Sequence, residues 1–246
     1  MDAKNFITLW ILIVFFASCK KENRFDCVKR TGEIQTEKRV IADFSEIEVF
    51  DNMQLFLVQD TLNYAEIKAG KNLLKNIEMM IVGQKLILKN NNKCNFTRSY
   101  KNGIQIHLHF KKLNELLYKG TGPITSINAI VNEQFTFNSW DGTDSVKLNL
   151  EVPVVYANIH TGVADLMVTG HCNQLFAYAM GSGAFRMLDF KCKNVYANNI
   201  SSSDQYFNVE NKLEALVQYV GSTYYKGHPT EVIKKINQQG KLIQIE

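Results

Sequence analysis

Three groups of residues have the types and spacing to do chemistry. His107 and His109 alternate within "IQIHLHF", so both side chains leave the same face of a strand. Such a pair can ligate a metal, but a zinc site needs three or four ligands and no third one stands at a matched spacing. An exposed strand face is therefore the expected fate of the two histidines. Asp141, Asp144, Asp165 and Asp204 recur at turn-like positions. Aligned, they would form a calcium-binding edge; two of them in one cleft would resemble the carboxyl pair that glycosidases use. The Gly-Gly-x-Gly-x-Asp nonapeptide of calcium solenoids is absent, however, and aspartate is common at turns because it bonds its own backbone. The third group is Gly181-Ser182-Gly183 in "YAMGSGAFRM". A phosphate loop would need to open a helix, whereas "AFRMLDF" alternates like a strand. A nucleophile elbow needs Gly-x-Ser-x-Gly, which is absent. No metal site, no cofactor and no catalytic constellation is expected.

What positions these residues is a repeat. "VYANIHTGVADLMV" begins at Val155, "LFAYAMGSGAFRML" at Leu175 and "VYANNISSSDQYFN" at Val195, an offset of twenty residues each time. The columns are Val155, Leu175 and Val195; Tyr156, Phe176 and Tyr196; Ala157, Ala177 and Ala197; Asn158, Tyr178 and Asn198. A small-residue turn keeps the same step, at Gly120-Thr121-Gly122, Asp141-Gly142-Thr143, Thr161-Gly162, Gly181-Ser182-Gly183, Ser201-Ser202-Ser203 and Gly221-Ser222-Thr223. The Gly-Ser-Gly is thus one tooth of a repeat. A period near twenty fits one coil of a β-solenoid, two short strands and two turns, which gains a core only by stacking. Rungs lie about 4.8 Å apart, so six coils give a rod of roughly 30 Å. The expected class is all-β: a parallel β-helix-like solenoid flanked by capping strands.

Stacking makes equivalent residues neighbours. Val155, Ala157 and Ile159 go to one face, and Tyr156, Asn158 and His160 to the other. The Tyr156–Phe176–Tyr196 column, with Tyr178 beside it, then has two readings. Packed on the N-terminal strands it is core, the commoner fate; outward, it is a binding face for sugar rings or a partner protein. Cys172 and Cys192 fall opposite one another, either as a disulfide or as two buried thiols. Cys27 and Cys94, in irregular polar stretches, are a second possible disulfide.

The N-terminus carries targeting information. "FITLWILIVFF" (6–16) is shorter than the roughly 20 apolar residues a spanning helix needs and suits a signal peptide. Ala17 and Ser18 precede Cys19, an arrangement that resembles a bacterial lipobox with Cys19 as the lipidated residue. Residues 1–18 are read as the signal peptide and 19–38 as a lipidated tether, whose "KKENRFD" resembles the surface-export signals of Bacteroidetes lipoproteins. Removing 1–18 takes away Asp2 and Lys4 and leaves the formal net charge at +4. The lysines are scattered, so nucleic acid is not an expected partner; the membrane, through the lipid, is.

The remaining chain reads as one continuous domain over 39–246. Residues 39–118 form a less repetitive β region, with a helical turn around Leu73 to Ile77 and a polar loop at 90–103. Residues 119–246 form the repeat solenoid, ending in a C-terminal cap with a hairpin around Gly240.

With "RVIADFSEIEVFDNMQLFLVQD" (39–60), "AGKNLLKNIEMMIVGQKLIL" (69–88), the "GTG" and "GSG" turns and "YYKGHPTEV" (224–232), the chain resembles the head GIN domain family, also described as autotransporter-adhesin-like. The resemblance covers roughly 39–245. It implies a β-solenoid-like fold on the cell envelope with an adhesive role, and it supplies no catalytic residues. "SSSD" (201–204) and "HTGVAD" (160–165) depart from its glycine-rich turns. The expected function is a non-enzymatic outer-membrane lipoprotein, on the surface or periplasmic face, binding a protein or glycan. A polysaccharide-acting solenoid enzyme and a purely structural envelope protein are the alternatives.

Overall fold

The computed structural model describes residues 31–93 and 103–246. Its strands begin with β1 (Ile34–Val40), β2 (Glu46–Asp51), β3 (Gln54–Gln59) and β4 (Tyr64–Gly70), followed by the short helix α1 (Lys71–Leu74). Then come β5 (Ile77–Val82), β6 (Lys85–Asn90), β7 (Gln105–Phe110), β8 (Glu115–Gly120), β9 (Ile124–Ser126) and β10 (Ile130–Val131). The repeat region holds β11 (Gln134–Ser139), β12 (Ser145–Glu151), β13 (Val154–Ile159), β14 (Asp165–Gly181), β15 (Ala184–Ser201) and β16 (Gln205–Val217). The chain closes with β17 (Thr223–Lys226), β18 (Glu231–Ile236) and β19 (Leu242–Gln244).

These strands stack as a β-solenoid with two parallel walls. The first wall runs β6, β2, β8, β11, β13, then the second halves of β14, β15 and β16, then β18. The second runs β7, β3, β9, β12, the first halves of β14, β15 and β16, then β17 and β19. Each long strand therefore finishes one coil and starts the next. The expected columns are neighbours: Val155 pairs with Leu175 and Leu175 with Val195. Alternation explains why. Every second residue is apolar and turns inward, and the inner faces of both walls merge into one buried core. Ala157, Ala177, Ala197 and Ala215 line it on the first wall, all buried.

The stack extends further toward the N-terminus than the twenty-residue repeat does. β2, β3, β6, β7, β8 and β9 are rungs of the same walls, so the change of pattern near residue 119 is not a structural boundary. The reason the repeat is invisible there is order. The β2–β3 rung sits between the β6–β7 rung and the β8–β9 rung, so the chain lays down an inner rung before the outer one. The antiparallel partners β5 on β6, β4 on β7 and β1 on β4 cap that end. The helical turn expected at 73–77 lies at Lys71–Leu74, and Ile77 already belongs to β5.

At the other end the expected hairpin around Gly240 is not formed. β18 pairs with β16 and β19 with β17, all parallel, so Gly240 turns within one last rung. All six residues of β18 are exposed, with Val232 and Ile236 uncovered on the core side. Lys234 and Lys235 on this strand blunt an edge that would otherwise invite pairing.

The turns explain the glycines. A Cβ on Gly122 would lie 2.2 Å from the Met53 carbonyl oxygen, and one on Gly142 would lie 2.4 Å from the Tyr118 ring. Tyr118 is fully buried there, donating its hydroxyl hydrogen to the Gly122 carbonyl at 3.0 Å, and burial pushes its phenol up to about 12. Where serines replace glycine, side chains take over. The Ser201 hydroxyl donates to the Gly183 carbonyl at 3.1 Å and accepts the Ser203 N–H at 2.9 Å, while buried Asn199 donates to the Gly221 carbonyl at 3.0 Å.

Candidate binding surfaces

The outward face of the first wall carries the aromatic ladder. Phe176 stacks between Tyr156 and Tyr196, with centroids 5.0 and 4.9 Å apart and ring planes within 11° and 10° of parallel. The three rings are half-buried, and no second layer of the described residues packs over them, so the core reading of this column is corrected. The physical reason is that the N-terminal strands, expected to cover the ladder, continue the walls instead. The same geometry limits sugar stacking. Ring faces are turned toward one another along the stack, so the ladder offers its edges and the phenol hydroxyls to a partner.

Tyr178 belongs to the next column. It lies tilted against His160 at 5.7 Å, and His160 stacks on Trp140 at 4.2 Å. Burial lowers the His160 imidazole below its ordinary value, since the charged form is poorly solvated between two rings. The remaining positions of this column bond sideways: Asn158 donates to Asn138 at 3.0 Å, and Asn138 to Glu115 at 2.9 Å. The first wall is thus largely satisfied by its own neighbours.

The outward face of the second wall differs. Lys147, Met167, Arg186, Tyr206 and Tyr224 stand one per rung. The register slips between Met167 and Thr169, between Met187 and Lys191 and again between Cys192 and Asn194, so Leu188, Asp189 and Phe190 have no register partner on β16. A groove of about 560 Å³ opens beside the bulge, within the range of ligand clefts. Ser126, Lys147, Asn149, Thr169, Arg186 and Tyr206 are among its lining residues. Arg186 bonds Asp165 at 2.8 Å and lies over the Tyr206 ring at 6.0 Å; Tyr206 stacks on Tyr224 at 4.9 Å. Sequence reasoning missed this groove. Its only signal was the departure of "RMLDFKCKN" from strict alternation.

A family model described as "putative auto-transporter adhesin, head GIN domain" matches residues 43–229. The chain belongs to the head GIN domain family. Solved structures agree on the fold. A "putative adhesin" from Bacteroides fragilis NCTC 9343 superposes with a TM-score of 0.78 at 19% identity, over 87% of this chain and 97% of that one. A "putative adhesin" from Parabacteroides distasonis ATCC 8503 gives 0.63 at 14% identity, over 87% and 98%. A "putative lipid binding protein" from the same organism gives 0.62 at 19% identity, over 87% and 98%. No curated protein matches the chain.

In this head GIN domain the other sequence candidates are engaged locally. His107 stacks on Phe56 at 4.4 Å. His109 stacks on Tyr64 at 4.0 Å and its Nδ1 meets Asp60 at 2.9 Å. The Thr61 N–H, and then His109, hold the Asp60 carboxyl below the usual range. The turn aspartates do four separate jobs. Asp141 accepts the Thr161 hydroxyl, Asp144 the Ser145 N–H, Asp204 the Ser222 N–H, and Asp165 pairs with Arg186. Among the described residues no three His, Cys, Asp or Glu side chains group as metal ligands.

Cys172 and Cys192 face each other across one rung step, buried, as two thiols with sulfurs 3.0 Å apart. The register thus sets the two thiols side by side, and in this structure they are unbonded. Burial, and then its neighbour Cys172, push the Cys192 thiol up. Cys19, Cys27 and Cys94 lie outside the described residues. Among the described residues no helix is long and apolar enough to cross a membrane.

Proposed function

We propose that this head GIN domain protein is a non-enzymatic binding module of the bacterial cell envelope, held to the outer membrane by lipid on Cys19. The observation that carries the binding role is the half-exposed Tyr156–Phe176–Tyr196 ladder, an apolar outward face with Tyr178 beside it and no covering layer among the described residues. Its edge-on rings suit a flat protein partner. Membership of an adhesin-type family supports the envelope setting. The anchor rests on the "FASC" sequence, because two or three acyl chains at about 0.8 kcal/mol per buried CH₂ hold a protein stably on a bilayer. The glycan-cleaving alternative would rest on the turn aspartates, each of which bonds a neighbour of its own.

Two measurements test this reading. Cells fed radiolabelled palmitate should label the wild-type protein and not Cys19→Ser, which should leave the membrane fraction. The double variant Tyr156→Ser/Tyr196→Ser should lose adhesion to envelope preparations while its melting shifts by only a few degrees. Collapse of the fold would make the ladder structural and remove the binding role from it.

A further inference from the structure

We infer that the groove of the second wall is a binding site for a carboxylated saccharide, a chain of uronic-acid sugars lying across the rungs. The inference does not rest on the ladder, which is on the other wall. Charge comes first. Arg186 is matched by Asp165, and Asp189 meets Lys226 at 3.8 Å. Lys147 has no ion-pair partner among the described residues, so one fixed positive charge stands open in the groove. Hydrogen-bonding capacity comes second. The side chains of Asn149 and Thr169 line the groove and bond to nothing among the described residues, leaving donors and acceptors for sugar hydroxyls. Met167 and Leu188 supply an apolar floor for the C–H face of a ring.

Shape gives the third argument. The groove crosses five rungs, from Ser126 on β9 to Tyr206 on β16, roughly 19 Å at the usual strand spacing. A sugar chain laid along the stack advances by about one ring per rung, so each rung meets one sugar. A peptide is disfavoured because it gains most from pairing its backbone with a free strand edge. In this wall the backbone groups pair with the rungs on either side except at the bulge around Leu188 and Asp189, which is too short to offer a continuous strand edge. Recognition must therefore run through side chains, and those available are a lysine, an amide and a hydroxyl.

The test is calorimetric titration of the mature chain with trigalacturonate, trimannuronate and the methyl ester of trigalacturonate, with tri-glutamate as the peptide control. At least one uronate should bind, and esterification should weaken it by about ten-fold or more, because a charge-assisted bond to Lys147 is lost. Lys147→Ala, an exposed position, should weaken the acid form by a similar factor, and Lys147→Arg should restore most of it. Asn149→Ala and Thr169→Val together should weaken acid and ester alike. Tyr156→Ser/Tyr196→Ser should change nothing, which separates failure here from failure of the ladder. The inference is overturned if neither uronate binds, if acid and ester bind equally, if Lys147→Ala is silent, or if tri-glutamate binds as well with the same lysine dependence.

Discussion

The two walls share one core and one rung spacing, yet their outer faces have opposite characters. On the first wall, strict register sets ring over ring and amide over amide, so the surface satisfies itself. On the second, slips of register between β14, β15 and β16 accompany a groove, and Lys147, Asn149 and Thr169 line it with no side-chain partners among the described residues. Regular stacking builds stability into a surface, and a bulge releases side chains for a ligand.

The largest expected effects test whether the walls do share a core. Phe135 backs the first wall and Phe207 the second, where it meets Phe185 at 6.1 Å; both are fully buried. Phe135→Ala and Phe207→Ala should each cost about 3–5 kcal/mol in urea unfolding. A cost at one wall several-fold below the other would break the single-core description.

The outer faces should then separate. Phe176→Ala removes a ring stacked on both sides and should cost about 1–3 kcal/mol, from two aromatic pairs at roughly 0.5–1.5 kcal/mol each. Lys147→Ala, with no ion-pair partner among the described residues, should stay within about 0.5 kcal/mol of wild type. Equal costs would mean the ladder contributes no more than the groove.

The smallest effect is the pH dependence contributed by His160 on the first wall. The folded His160 titrates below its ordinary value of 6.5, so the unfolded chain takes up its proton first as pH falls. The stability it contributes is complete above the unfolded value and is lost as pH falls through the folded one. The groups facing it are the Trp140 and Tyr178 rings and the Asn138 amide. Melting temperature should therefore decline on acidification below 6.5, and His160→Phe should flatten that part of the profile. An unchanged slope would place the titration elsewhere.

Much of this was legible in the residues. The twenty-residue step placed Val155, Leu175 and Val195 side by side, set Cys172 against Cys192 and stacked Tyr156, Phe176 and Tyr196, because a solenoid turns a sequence interval directly into a neighbour. The first wall could be read in this way. The second could not, since slips at Met167 and Met187 shift the interval there and the groove exists only where neighbouring rungs disagree. The early rungs were hidden for a related reason: β2 and β3 are placed between rungs that the chain makes later, and no local period records that order.

By itself, the order of residues determined the all-β class, the period, the small-residue turns and the inward apolar face, because alternation and tight turns are decided within a few neighbours along the chain. Only the tertiary structure decided which rung lies beside which at the N-terminal end, that the ladder stays uncovered, and that a groove opens on the opposite wall. Those depend on contacts between residues far apart in sequence, where packing and register, rather than local pattern, choose the outcome.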